Sequence, residues 1–378
     1  MKKNKFVLTF DVGSSHIRAM LVGRGINNTF NIRGEKVVDY DGFYEGEFLD
    51  KDKLYSIFEG IVQEFEMISD KIQKVYIGVP AEFSSVMTTE VVLNLGERRK
   101  VKKSDVESLN YMASEKSKNA DVEVVSVSAI EYVIDGRVTQ EPVGESGASL
   151  LGRLSVVYVN RKFIEIFNSI VGGLGFSAVE YISEPLAQAM FVIPKEKRED
   201  MALLIDSGDL TTSIALVKGN GIVSLTSFSR GGGFITNDLA EAFDLTMSEA
   251  DRLKKQVVLS LKGKANDGYD LTTDLGKATR IMLNEANEVV GYRIEELAEV
   301  VAKSLQMNGQ QFANYLPVFL TGGGISKIKG GRDYLAKCLG RNVSYGLPKL
   351  PGKEKPELAS IYSLVYASLE ANDEANGK

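Results

Sequence analysis

The chain holds one cysteine and one histidine in 378 residues. The single thiol, Cys338, excludes an internal disulfide framework and any cysteine-rich metal site, and such sparing use suits a reducing compartment. The single imidazole, His16, excludes a multi-histidine zinc site and leaves little for a histidine-driven hydrolase. Positive charge is not in excess: 45 Lys and Arg face 51 acidic residues, a net charge of −6. No overall field attracts phosphates, which excludes nonspecific nucleic-acid binding as the main task. No stretch of 18 uncharged apolar residues exists, so no membrane-spanning helix is expected. After the basic start Met1–Lys5, the run Phe6-Val7-Leu8-Thr9-Phe10 breaks at Asp11. That is too short for a signal-peptide core and reads as a buried strand, so the chain is expected in the cytoplasm. Proline is scarce, at 8, whereas glycine reaches 36. Glycine in excess without low-complexity repeats marks places where the backbone must come close to something.

What is present is ordinary in bulk, with 44% apolar and 25% charged residues in a chain long enough for at least two cores. An internal repeat organises it. Phe6–Phe10, Asp11-Val12-Gly13-Ser14-Ser15 and Ile17–Val22 align without a gap on Ala202–Ile205, Asp206-Ser207-Gly208 and Thr211-Thr212, then Ile214–Val217. Each copy is an apolar strand, an Asp-x-Gly turn with small hydroxyl residues, and a second apolar strand: a β-hairpin with a carboxylate at its tip. One such hairpin is a common turn, but a pair 195 residues apart, about half the chain, predicts two related domains. Backbone amides of such turns can cradle phosphate, and the carboxylate can hold the hydration shell of Mg²⁺. Two hairpins facing each other would grip a nucleotide from both sides. A third element follows, the buried-strand pattern Pro317–Thr321 running into Gly322-Gly323-Gly324, where the backbone could pass flat against a planar group or a phosphate.

In this order the motifs resemble the actin-like ATPase superfamily, and within it the FtsA family of bacterial cell-division proteins. Asp11–Ser15 is similar to the family's first phosphate motif, Ser183–Ala189 to its first connecting helix, Asp206–Thr212 to its second phosphate motif and Leu320–Gly324 to its adenosine motif. Tyr132–Gly136 with Glu141–Gly147, and Gly231–Ala240 with Glu249–Lys254, favour FtsA over other branches. The resemblance implies an α/β fold of the actin-like ATPase type, with domains 1A and 2A around a nucleotide cleft and an inserted subdomain in each. Its boundaries are expected at 1–78 (first part of 1A), 79–160 (1C), 161–197 (return to 1A), 198–233 (first part of 2A), 234–315 (2B), 316–355 (rest of 2A) and 356–378 (last helix of 1A and a polar tail). Periodicity fits that division. Leu54, Ile57, Phe58, Ile61, Val62 and Phe65 predict an amphipathic helix over 52–68, and 74–160 reads as a separate α+β unit. Thr246 and Glu249 form a capping box ahead of a stripe of Ala250, Leu253, Val257 and Leu261.

The resemblance also implies roles. Asp11 and Asp206 become the carboxylates that hold Mg²⁺ through water, although each could instead cap its own turn. Gly13, Ser14, Ser15, Gly208, Thr211, Thr212, Gly232, Gly233, Gly322, Gly323 and Gly324 line the ATP site. Glu184 orients the attacking water, with Asp206 as its catalytic companion; Glu184 reads equally as an acid favoured by a helix N-terminus. Asp251 and Lys254 reach the ribose or form a solvated i, i+3 pair. Two departures stand out. Asp209 and Leu210 replace glycines of the second phosphate loop, putting a carboxylate where a triphosphate would be repelled unless a cation offsets it. His16 stands where FtsA has lysine and reads as a turn residue without chemistry, while Arg18 is placed to supply the missing charge. Cys338 reads as a packed core thiol.

Pro356–Leu369 predicts a helix with Leu358, Ile361, Tyr362, Val365 and Leu369 on one face, and Glu370–Lys378 reads as an acidic polar remainder. No basic amphipathic anchor follows, so no direct membrane contact is expected from this chain. The resemblance implies an ATP- and Mg-binding protein, at most a weak ATPase, that assembles into protofilaments and carries the C-terminal tail of FtsZ on subdomain 2B, recruited to the inner face of the membrane at the division site. The competing expectation is a non-polymerising scaffold like PilM, with nucleotide as a structural ligand. A sugar kinase on the same fold is weaker, because no sugar-binding motif is found.

Overall fold

Strand β1 (Phe6–Val12) is buried at every position, and a chain reversal of three residues brings it back as β2 (His16–Arg24). The two pair antiparallel with Asp11 opposite Arg18 and Val12 opposite Ile17. The computed structural model describes residues 6–25, 29–69, 72–116, 119–264, 266–307 and 315–375. The basic start and the last three residues of the expected polar tail lie outside the described residues. The chain divides into two compact units, Met1–Ala202 with Ala215–Leu225 and Ser360–Lys378, and Leu203–Ile214 with Thr226–Ala359.

In the first unit β3 (Phe30–Asp39) lines the other edge of β2. A short hairpin, β4 (Phe43–Tyr44) and β5 (Glu47–Phe48), turns through Glu45 and Gly46, both at positive φ. Helix α1 (Lys51–Ile68) is capped by Asp50, whose carboxylate accepts from Lys53 N, and buries Leu54, Phe58, Ile61, Val62 and Phe65 as the 3.6 periodicity requires. Strand β6 (Ile72–Val79) then runs parallel to β1. An insertion follows: β7 (Ser84–Lys100), α2 (Lys103–Glu115), β8 (Val122–Ile134), β9 (Arg137–Thr139) and β10 (Ser146–Asn160). Its sheet, in the order β7-β10-β8-β9, has a core of its own around Val91, Leu109, Ile134, Leu150 and Leu154. Helix α3 (Arg161–Gly173) returns Phe163 and Phe167 to the main core, and β11 (Val179–Ser183) adds to β6 in parallel. Helices α4 (Glu184–Val192) and α5 (Lys195–Arg198) lead on.

The second half repeats this plan. Strands β12 (Ala202–Ser207), β13 (Thr212–Lys218) and β14 (Gly221–Phe228) precede α6 (Gly232–Phe243) and α7 (Met247–Gln256). A two-stranded sheet of β15 (Gly268–Thr272) and β16 (Ala278–Met282) and the long α8 (Leu283–Met307) come next. Then follow β17 (Val318–Thr321), α9 (Gly331–Leu339), β18 (Val343–Tyr345) and α10 (Ala359–Ala375). The two large sheets read β11-β6-β1-β2-β3 and β18-β17-β12-β13-β14, the same order of first, second, third and two parallel strands. The repeat seen in two hairpins therefore extends to ten strands.

Three expectations are corrected. Helix α7 stops at Gln256, where Val257 turns extended, so the i+4 register lapses and Leu261 is 51% exposed instead of completing the stripe. Cys338 is exposed, because α9 buries Gly331 and Leu335 and its last turn is left uncovered. The supposed polar remainder continues as helix to Ala375. Arg24 on β2 holds it there, with Nη2 donating to Glu370 Oε1 at 2.7 Å and Nε to Asp373 Oδ2 at 2.9 Å.

Candidate functional site

In the first hairpin the amide of Gly13 donates to the carbonyl of His16 at 3.1 Å, closing the turn. Asp11, one residue before the end of β1, is 3% exposed. Arg18 stands across the hairpin with Nη1 3.6 Å from Asp11 Oδ2. The guanidinium that the sequence offered to phosphate thus has a carboxylate partner in its own hairpin. His16 opens β2, and its Nδ1 lies 3.1 Å from Ser15 Oγ. The segment after β3 fastens the turn from outside. Tyr40 Oη donates to Gly13 O at 2.8 Å, Tyr40 N donates to Ser15 O at 3.1 Å, and Gly42, at φ +78°, passes so close that a Cβ would overlap Ser14 O. Burial, and secondarily the charge of Asp11, push the Tyr40 hydroxyl far above its usual pKa, so it stays a donor. Sequence reasoning missed both residues; the Asp41-Gly42 turn signal was the one trace of them. Further along this unit, Ser183 caps α4, Glu184 is buried in its first turn, and Gln188 Nε2 donates to Glu184 Oε1 at 3.0 Å.

The second hairpin closes with the same bond, Gly208 N to Thr211 O at 2.9 Å. Asp206 lies beside Thr321 of β17, whose Oγ1 donates to Asp206 Oδ1 at 3.1 Å. Three stretches of main chain then converge. Gly232 N donates to Gly208 O at 2.9 Å, Gly233 N to Asp209 O at 2.8 Å, and Gly324 N to Ser207 O at 2.7 Å. A Cβ on Gly232 would sit 2.6 Å from Gly324 Cα, and one on Gly322, at φ +79°, would sit 2.6 Å from Asp206 Oδ1. Side chains cannot enter here, which explains the glycine runs. The amides of Gly13, Gly208, Gly232, Gly233 and Gly324 donate within the protein, so what these glycines supply is the missing Cβ more than a row of open amides. Gly323 differs, since a Cβ there would meet side-chain atoms of Lys327 and Glu357 and no backbone. Thr212 Oγ1 donates to Arg230 O, which ties β13 to the start of α6.

Lys254 on α7 is turned inward, its side chain 14% exposed, with Nζ donating to Gly232 O at 3.0 Å and to Thr236 Oγ1 at 2.6 Å. Burial holds its pKa below the usual lysine value, and the charges of Asp251 and Asp209 oppose that shift. Asp251 is left to Lys255, 2.5 Å away, with Lys254 at 3.6 Å. The structure therefore gathers Asp206, Gly208, Thr212, Gly232, Gly233, Lys254, Gly322 and Gly324 into one constellation, with Thr211 closing its turn and Asp251 on its outer side. Asp11, Gly13, Ser14, Ser15 and Arg18 form the corresponding set of the first hairpin. Among the described residues no group of three His, Cys, Asp or Glu is arranged to hold a metal ion directly.

Comparison with known proteins places these features. Residues 203–363 match the family model "Cell division protein FtsA", and residues 84–158 match that of the SHS2 domain inserted in FtsA. The second match is the inserted sheet with α2. The cell division protein FtsA of Bacillus subtilis (strain 168) is 23% identical over 371 residues, covering 97% of this chain and 84% of that one. That of Pseudomonas aeruginosa is 24% identical over 353 residues, covering 92% and 84%. Among solved structures, the PilM–PilN type IV pilus biogenesis complex aligns with TM-score 0.62 at 15% identity, over 98% of this chain and 99% of that chain. MreB5 of Spiroplasma citri bound to ADP aligns with TM-score 0.58 at 12% identity, over 99% of both. These likenesses show the actin-like α/β fold that the resemblance of the motifs implied. With two FtsA models covering well over half of its length and FtsA relatives aligned along nearly all of it, the chain belongs to the FtsA family of actin-like proteins.

Proposed function

We propose that the chain binds ATP with Mg²⁺ and acts in bacterial cell division, assembling with copies of itself and linking an FtsZ-type partner to the envelope. One observation carries the nucleotide reading: the convergence of main chain at Gly208, Gly232 and Gly324 beside a carboxylate fixed by Thr321 and a lysine turned inward. Backbone stripped of side chains is what close approach to a phosphate or a base requires. Asp206 suits a hydrated cation, because a carboxylate held by a hydroxyl can accept from bound water, and the repeated hairpin carries the second such carboxylate, Asp11. Glu184, held by Gln188, is assigned the orientation of an attacking water, and turnover is expected to be slow. Residues 79–160 and 234–315 are assigned as subdomains 1C and 2B, with 2B as the seat of the partner's tail. No helix among the described residues is long and apolar enough to cross a membrane.

The test is thermal unfolding of the full chain with and without millimolar ATP and Mg²⁺. A rise in Tm that Asp206→Ala abolishes supports the reading; identical melting for both proteins with and without ATP sinks it. Pelleting with ATP and Mg²⁺ then separates a filament from a second reading, a PilM-like scaffold that holds nucleotide without polymerising. Asp209 favours that second reading, because a carboxylate in the phosphate loop opposes a triphosphate.

A further inference from the structure

We propose that Asp209 makes this site select a nucleotide whose phosphate charge is offset by a divalent cation over the same nucleotide free in solution. The inference rests on the nucleotide reading above and concerns what governs that site. Asp209 stands in the turn that joins β12 to β13, where the FtsA pattern has glycine. Its carbonyl accepts the amide of Gly233, and this bond draws the residue against the start of α6. A Cβ on Gly233 would sit 3.3 and 3.4 Å from the two carboxylate oxygens, so the charge of Asp209 lies beside the first turn of a twelve-residue helix. That turn carries the positive pole of the helix, a place that stabilises an anion. The protein has thus put its own anion there.

Among the described residues no side chain donates a hydrogen bond to the Asp209 carboxylate or forms an ion pair with it, and Lys254 donates to Gly232 O and Thr236 Oγ1. Lys254 does sense Asp209, whose charge favours its protonated form, so the carboxylate and the inward lysine share one electrostatic neighbourhood. A free polyphosphate entering that neighbourhood meets a fixed negative charge, and the repulsion grows with the number of charges it brings. A divalent cation removes a large share of that charge and is itself attracted by the same carboxylate. One residue therefore raises the ratio of affinities for complexed and free nucleotide, and does so more strongly the longer the phosphate chain.

Titration calorimetry on the full chain tests this, with AMP, ADP and ATP each in excess Mg²⁺ and in chelator, for the natural protein, Asp209→Asn and Asp209→Gly. Asparagine keeps the shape and drops the charge. We expect both variants to shrink the ratio of Mg-ATP to free-ATP affinity by roughly tenfold, chiefly by tightening free ATP. The change should be smaller for ADP and least for AMP. A ratio that Asp209→Asn leaves unchanged while all three nucleotides bind overturns the proposal and leaves the nucleotide reading intact. A gain in Asp209→Gly alone also overturns it, since the cause would then be backbone freedom. If the natural protein and both variants bind no nucleotide at millimolar concentration, the nucleotide reading fails and the proposal falls with it.

Discussion

The turn at Gly13–His16 and the turn at Gly208–Thr211 share one hydrogen bond, from the glycine amide to the carbonyl three residues on, at 3.1 and 2.9 Å. They differ in what braces that bond. The carbonyl of Gly13 accepts a side chain, the Tyr40 hydroxyl, and that of Gly208 accepts main chain, the amide of Gly232. Their carboxylates differ in the same sense of detail: Asp11 faces a guanidinium across its hairpin, whereas Asp206 accepts from the hydroxyl of Thr321. The far end of the second hairpin is also anchored. In the turn from β13 to β14 Asn220 N donates to Ala129 O at 2.8 Å, and Ser155 Oγ donates to Ile222 O at the start of β14 at 2.7 Å, so strands β8 and β10 of the insertion receive this turn. Duplication preserved the backbone plan, and each copy acquired its own fastenings. Tolerance to mutation should then differ between the copies at equivalent places.

The largest effects are expected where main chain meets main chain. Gly232→Ala would drive a methyl to 2.6 Å from Gly324 Cα, and Gly42→Ala would press one into Ser14 O while forcing a positive φ on alanine. Each should cost more than about 3 kcal/mol and lower Tm by roughly 6 °C or more. Differential scanning calorimetry checks this. Gly46→Ala is the control, at equally positive φ with open space around it, and should lose only about 1 kcal/mol. A loss in Gly46→Ala as large as that in Gly42→Ala would show that conformational strain, not close approach, sets the effect at Gly42.

Next comes the anchor of the β13–β14 turn. Glu131 is buried and bridges Arg153 and Lys218, the latter at 2.6 Å. Its hydrogen bond from Lys218 leads the causes that hold its pKa below the usual carboxylate value, with burial opposing. A folded-state value below the unfolded one means the contribution is complete above about pH 4.3 and is lost as pH falls through the folded value. Glu131→Gln should destabilise by about 2 kcal/mol at neutral pH. Its Tm should also fall less steeply than that of the natural protein on acidification below about pH 4. Parallel acid limbs would show that the bridge adds nothing pH-dependent to the anchor.

How far the sequence reveals this follows from the kind of interaction. The hairpins were readable because Asp-x-Gly between apolar strands is a local pattern, and two copies at half-chain spacing exposed the repeat. Ala250 and Leu253 were readable by helical period, but Leu261 was not, since the helix ended at Gln256 for reasons that periodicity does not hold. The glycines were visible, yet their partners were not: that Gly232 opposes Gly324 is a contact across more than ninety residues. Tyr40 left no signal beyond the Asp41-Gly42 turn beside it, because one tyrosine after a strand is compatible with any surface or core role until the turn it braces is seen.

Tyr40 is therefore the sharper probe of the difference between the turns. Tyr40→Phe keeps the ring and removes only the donor to Gly13 O, a cost of about 1 kcal/mol. The second turn offers no equivalent side chain to remove. If nucleotide affinity falls in Tyr40→Phe by more than the change in Tm accounts for, the brace positions the first loop for its ligand. If stability alone changes, it is packing.

The smallest effect is expected at the end of the chain. Arg24 reaches from β2 to Glu370 and Asp373, which keeps the last turns of α10 on the first sheet, where Ser368 already accepts from Thr9 Oγ1 at 3.0 Å. The arginine is mostly covered, but Glu370 is half exposed, and a pair screened by water is worth little. Arg24→Ala should cost about 0.5–1 kcal/mol, and Arg24→Lys about half of that, because a point charge cannot serve two carboxylates as a forked guanidinium does. Hydrogen exchange at residues 370–375 is the sensitive readout. Faster exchange there, with the rest of α10 protected, would show that helix propagation from Ala359 needs the arginine only for its last six residues. Unchanged exchange would mean that the buried Asn372 and the helix itself hold the end, and that the ion pairs merely decorate it.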